Sequence, residues 1–348
     1  MDVAGLGGLG LPHVILGCQP FLGESYQGSE RNREYAERFS NKGNVTPLLL
    51  KAARTYGVRA LAAVPVDSNP LSRSYLAAVA EAEQSLGVEF SLAPCFSIPL
   101  TIDGRRVDDY RRWLTYYAYE EKRAAIDLKH KFLSDPILLT RPGWRENFTR
   151  VLAEGRPYGG EELERLTVDF PALERSVSQF AGRRTLFAEA GSETDFLAVT
   201  GRFDELRRLV DFLRGRGFAQ VFFGVHHAGV TIPLLENSGL RFDGYVTPVN
   251  RLGALMFPDR EAALKAVTST RRRVVAMKTM AGGRLPPRES FEYVFREVGL
   301  RSCMIGVGSI EELDIDMAAA AQVISLLEAM PLDAACSARR GSLEVSAV

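Results

Sequence analysis

Six side chains of this sequence could do chemistry together: Asp67, Cys95, Glu189, His226, His227 and Lys278. Carboxylate, thiolate and imidazole are the usual ligands of a divalent metal. Asp67, Glu189 and His226 would supply three ligands and leave a position open for water activation or carbonyl polarisation. Without a metal, the same groups would line a polar substrate mouth and act as general acid and base. No HxH, HExxH or CxxC spacing accompanies them. Adjacent strand residues point to opposite faces, so only one of His226 and His227 can enter the site. A desolvated Lys278 could form a Schiff base; an anion-pairing lysine is the plainer role.

A second set suits anions. Ala281–Gly283 (AGG) with Arg284 forms one glycine-rich turn, and Gly306–Ser309 (GVGS) forms another. Glycines let backbone N–H groups approach an anion closely, and a helix N-terminus adds partial positive charge. On this reading Gly282, Gly283, Arg284, Gly308 and Ser309 bind a phosphate or a phosphate-bearing cofactor. Read structurally, they are tight turns, with Ser309 capping a helix whose first turn holds Glu311 and Glu312. Gln19, Asn69 and Asn250 are expected to reach substrate, although Asn250 could equally cap its own turn.

These residues need elements to position them. Short apolar runs recur along the chain: His13–Gln19, Ala60–Val66, Glu89–Cys95, Thr185–Glu189, Gln220–Val225, Gly244–Pro248, Val274–Lys278 and Cys303–Val307. Segments with apolar residues three and four apart lie between them. Continuous apolar strands alternating with helices indicate a parallel sheet buried on both faces. Eight such units predict an α/β fold, a (β/α)₈ TIM barrel. Asp67, Cys95, Glu189 and the histidines then fall at carboxyl ends of strands two to five, on one mouth. Two excursions exceed a minimal barrel. The first is polar, Pro20–Asn44. The second, residues 96–182 after strand three, predicts a helix over Val107–Phe132 with an aromatic cluster from Tyr110 to Tyr119. Both are candidate lids or interfaces. Residues 1–330 read as one barrel domain, and 331–348 as a loose tail.

The chain has 348 residues, with Lys+Arg and Asp+Glu balanced at 43 each and 46% hydrophobic residues. That composition excludes a disordered polyelectrolyte. It supplies no basic excess for phosphate neutralisation, so no nucleic-acid partner is expected. No run of about 18 apolar residues exists, so no membrane partner is expected either. Four cysteines without a paired spacing fit a cytoplasmic protein. A small-molecule substrate and a homo-oligomer remain the expected associations.

Three segments carry a family resemblance. FGVHHAGVTIPLLENSGLRFDGYVTPVNRLGALMF resembles the aldo-keto reductase segment running from a GVS strand end to YN-L. RVVAMKTMAGGRL resembles that superfamily's seventh-strand signature, especially its MKPLAGG branch. MIGVGSIEEL resembles its eighth strand and following helix. The likeness covers about Ala219–Ala320 and implies an NADPH-dependent (β/α)₈ barrel. It also implies a catalytic Asp, Tyr, Lys and His near the ends of strands two to four. Asp67 matches the Asp. The Tyr falls at Ser72, with Tyr75 nearby but out of register. The Lys falls on Cys95 and the His on Glu189.

A carbonyl reduction lacking that Lys and His lacks its tuned acid. The leading expectation is therefore a non-standard enzyme on an inherited barrel, a hydrolase, lyase or isomerase. It would act on a small phosphate- or carboxylate-bearing metabolite, metal-assisted or by acid–base catalysis. Glu189 would be base or ligand, a histidine acid or ligand, and Asp67 would orient. A second expectation is a divergent NAD(P)H-dependent reductase, with Tyr75 or Tyr26 as proton donor. A third is a non-catalytic ligand-binding or interaction barrel.

Overall fold

The computed structural model describes residues 10–329; the tail expected from residue 331 lies outside them. In chain order the first elements are β1 (Val14–Leu16), α1 (Ser29–Ser40), α2 (Thr46–Tyr56), β2 (Ala60–Ala63), α3 (Ser72–Leu86) and β3 (Ser91–Phe96). An insertion follows: β4 (Leu100–Ile102), β5 (Arg105–Arg106), α4 (Asp109–Glu120), α5 (Leu128–Ser134), α6 (Trp144–Glu154), α7 (Gly160–Glu164), β6 (Leu166–Val168) and α8 (Phe170–Val177). Then come β7 (Ala188–Ala190), α9 (Glu193–Val199), α10 (Phe203–Gly215), β8 (Val221–Gly224), α11 (Ala228–Glu236), β9 (Gly244–Pro248) and α12 (Arg260–Ser269). The chain closes with β10 (Arg273–Met277), α13 (Pro287–Glu292), β11 (Ser302–Ile305) and α14 (Ile310–Glu328).

Eight strands close a parallel barrel in the order β1, β2, β3, β7, β8, β9, β10, β11. Closure is set by Val14 opposite Cys303 and Leu16 opposite Leu61. The expected TIM barrel is the observed fold. Its strands are short apolar runs because both faces are buried, one by the barrel interior and one by helices. Ile15, Ala93, Phe187, Phe222, Val246 and Val275 fill the interior, with Leu11 among them. Leu16, Leu61, Leu92, Phe223 and Tyr245 face the helices in the larger outer core.

Both excursions are ordered and packed. The first carries a 3₁₀ turn, Gln19–Leu22, and α1. The insertion has its own three-stranded antiparallel sheet, in the order β5, β4, β6. The single helix expected over Val107–Phe132 is two helices. Asp108 caps α4 by accepting from Arg111 N, and Asp127 caps α5 by accepting from His130 N. Each carboxylate satisfies an N–H that a continuous helix would bond internally, so each starts a new helix. The aromatic cluster is packing: Phe148 stacks on Phe132 and Trp144, and Trp113 meets Phe132 and Trp144 edge to face, with centroids 4.8–5.9 Å apart.

Candidate functional site

Cys95 on β3 and Glu189 on β7 are register partners at the carboxyl end of the barrel. Glu189 is buried, and its Oε1 lies 2.7 Å from where a Cβ on Gly224 would stand. The glycine of β8 is thus what leaves room for this carboxylate. Burial raises Glu189 to about 7, with Lys278 and the Cys95 thiol pulling the other way. Lys278 follows β10 in the left-handed region, at φ 55. A non-glycine residue there is held by its surroundings, which marks functional sites more often than others. Its half-buried amine is pushed down by desolvation, against the opposing pull of Glu189 and Cys95.

Tyr26 arrives from the first excursion, also left-handed at φ 58. The Lys278 Nζ stands 4.9 Å from its ring centroid, a cation–π contact. Desolvation and Glu24 hold the phenol above its usual range, so it is protonated at neutral pH. Desolvation likewise raises the thiols of Cys18, to about 12, and Cys95. Neither is a thiolate nucleophile.

His226 completes the mouth. Its Nε2 is buried without a hydrogen-bond partner. Burial first, then Lys278, lower its pKa well below the ordinary value, so the ring is neutral. Its backbone N–H donates to Asp195 Oδ2 at 2.7 Å. Burial pushes Asp195 to about 6. Sequence reasoning passed over Asp195; the available signal was an acid in the first turn of a helix directly after a site strand. Cys95, Glu189, His226 and Lys278 therefore gather at one mouth, joined by Tyr26.

Other expected residues lie elsewhere. Asp67 is exposed and bound by insertion residues, accepting from Ser176 Oγ and Gln179 Nε2 at 3.1 Å each. The strand ends at Ala63, and the turn beyond Pro65 carries Asp67 outward. His227 turns away from the mouth: its Nδ1 lies 2.7 Å from Glu120 Oε1 of the insertion, both groups buried. Burial would lower this imidazole, yet Glu120 outweighs it and the pKa rises. Asp67, Glu189 and His226 do not form a metal site; no group of three or more His, Cys, Asp or Glu among the described residues could hold an ion. Tyr75 is buried on α3, its hydroxyl donating to Ala62 O at 2.7 Å, so it is no proton donor at the mouth. Asn69 bonds Leu71 N and Leu22 O, and Asn250 bonds both backbone groups of Ala254. Both side chains bond backbone groups of nearby turns. Gln19 is half-buried at the start of the 3₁₀ turn.

The glycine loops are covered by the first excursion. A Cβ on Gly308 would overlap the Tyr35 hydroxyl of α1. The Gly308 N–H donates to Glu312 Oε2 at 2.7 Å, and its carbonyl accepts from Arg38 Nη1 at 2.7 Å. Ser309 caps α14, accepting from Glu312 N. Gly282 and Gly283 sit under Tyr26 and Gln27. The loop after β11 therefore does not fit a nucleotide phosphate in this arrangement: its donor is taken by a carboxylate and its cradle by a phenol.

No protein-family model matches the chain, and no curated protein matches it. Solved structures do. A protein from Pseudomona aeruginosa, described as an aldo-keto reductase, is 14% identical with a TM-score of 0.49, over 93% of this chain and 97% of its own. The aldo-keto reductase AKR11C1 from Bacillus halodurans, in its holo form, is 12% identical with a TM-score of 0.46, over 98% of this chain and 94% of its own. The closed eight-stranded parallel barrel rests on this chain's own strand pairing. The expectation of a metal-assisted hydrolase, lyase or isomerase is corrected: Asp67 stands apart from Glu189 and His226, so the ligand set it relied on is dispersed. No helix among the described residues is long and apolar enough to cross a membrane.

Proposed function

We propose that the chain is a divergent NAD(P)H-dependent carbonyl reductase whose proton-donating machinery has moved around the barrel. The observation that carries this reading is Tyr26 against Lys278 at the carboxyl mouth. The family pattern implies a Tyr and a Lys after strands two and three. Here the pair comes from the loop after β1 and the end of β10. Tyr26 donates its proton to the substrate carbonyl oxygen. The ammonium of Lys278 stabilises the phenolate left behind, an effect strengthened by low local dielectric. The neutral His226 offers its free Nε2 to the same oxygen. Glu189, titrating near neutrality, returns the proton.

The motifs in Ala219–Ala320 support the same reading. It requires α1 to leave Gly308 before a dinucleotide binds, because Tyr35 and Glu312 hold that loop. The test is a fluorescence titration with NADH and NADPH, followed by turnover on a panel of aldehydes and ketones. Tyr26→Phe is expected to lower turnover by roughly 10²–10⁴-fold while leaving nucleotide affinity unchanged. Absence of binding by either nucleotide overturns the proposal.

A further inference from the structure

A cleft of about 550 Å³ opens on the rim above Tyr26. It is walled by the two long excursions and by the loop after β10. Ten residues line it, among them Arg141 and Arg284, and none is acidic. Arg284 makes three hydrogen bonds, all to backbone carbonyls: Tyr26 O at 2.7 Å, Ala281 O at 2.8 Å and Pro136 O at 3.0 Å. Its geometry is fixed and no carboxylate is in salt-bridge contact with it, although the charge of the buried Asp135 reaches it. Arg141 is bonded to Asp109, and its guanidinium lies 5.7 Å and 5.0 Å from the ring centroids of Trp113 and Trp144. Two helices also begin at the cleft. Both α1 and α6 start behind a glycine, Gly28 and Gly143, with no side-chain cap. Gly28, Ser29 and Gly143 at these starts line the cleft, and the first N–H groups of a helix carry partial positive charge. Ser29 and Thr140 add hydroxyls.

We infer that this cleft binds an oxyanion, and that the oxyanion belongs to the substrate. Arg284 without a salt-bridge partner, Arg141 shared with Asp109, and two uncapped helix starts make a preorganised carboxylate or phosphate site. The backbone of Tyr26 is itself bonded to Arg284. An anion held there would therefore sit one residue from the proposed proton donor, which suits an oxo compound with a charged end. This inference rests on the reductase reading only for the word substrate; anion binding stands or falls without turnover.

The chain contains two tryptophans, and both touch Arg141. Intrinsic emission is thus a local reporter. The experiment titrates the full chain, without cofactor, with succinate, inorganic phosphate and ADP at constant ionic strength set by chloride. The expected result is a saturable change in emission with succinate and with phosphate. Arg284→Gln is expected to weaken both. It could also loosen the loops it joins, so Ser29→Asp is the second variant. An acid in the first turn favours α1 yet puts a negative charge in the cleft. It is expected to weaken both anions about tenfold, as a like charge at partly screened contact distance should. No saturable response to either small anion overturns the inference. So does a response to ADP alone, which assigns the cleft to a nucleotide, or a response that Ser29→Asp leaves unchanged. Loss of nucleotide turnover with anion binding intact sinks the reductase reading alone.

Discussion

Glu189→Gln should make the protein more stable as pH rises. The side chain is 6% exposed, and burial lifts its pKa from 4.5 to about 7. Below the lower value the carboxyl is protonated in both folded and unfolded chains. Between the two, the folded chain holds a proton that the unfolded chain releases, so stability falls as pH increases. Above the higher value the loss is complete. A shift from 4.5 to about 7 corresponds to about 3 kcal/mol. Glutamine stays neutral throughout and keeps the same neighbour relation to Lys278 as the protonated acid. Wild type and variant should therefore differ by a constant amount near pH ~4 and diverge by about 3 kcal/mol in favour of the variant by pH ~8. Urea unfolding followed by circular dichroism at a series of pH values measures the divergence. Parallel stability curves across that range would refute the argument, because they would mean that Glu189 ionises as a solvated acid does.

Glu120→Ala should cost about 3 kcal/mol, since it leaves the buried His227 without its partner, and unfolding midpoints will read the loss. Gly308→Ala should cost about 1–3 kcal/mol by pushing Tyr35 off the loop, and it should hasten proteolytic cleavage within residues 23–44. Asp67→Ala should change stability by less than about 0.5 kcal/mol and leave any carbonyl reduction intact, because the carboxylate is exposed and faces the insertion. A large loss of turnover there would restore the role that the family pattern implies.

The barrel was legible because each strand is a short apolar run whose character does not depend on distant partners. Cys95, Glu189, His226 and Lys278 were legible for the same reason, since a strand end specifies its own mouth. Tyr26 was named only as a donor from an insertion, because a loop's path is set by what it packs against. Residues 29–40 escaped notice as a helix: apart from Tyr35 and Phe39, none of α1 is buried, so no apolar stripe announces it. Those two residues, four apart, were the available sign. His226 and His227 both lie beyond β8, in the bend that leads into α11, so strand alternation does not account for their separate fates. That the second one docks onto Glu120 depends on an insertion whose placement no local pattern carries. Asp67 misled because position along the chain matched the family, while the turn after Pro65 aimed the side chain outward.

Arg284 holds carbonyls from residues 26, 136 and 281 in one hand. The three segments that roof the barrel are therefore one mechanical unit. Either excursion can swing aside only by giving up its own bond to Arg284, while the remaining bonds still tie the other excursion to the loop after β10. Grafting any one of these segments onto a related barrel would carry over its residues without the clasp that sets their position.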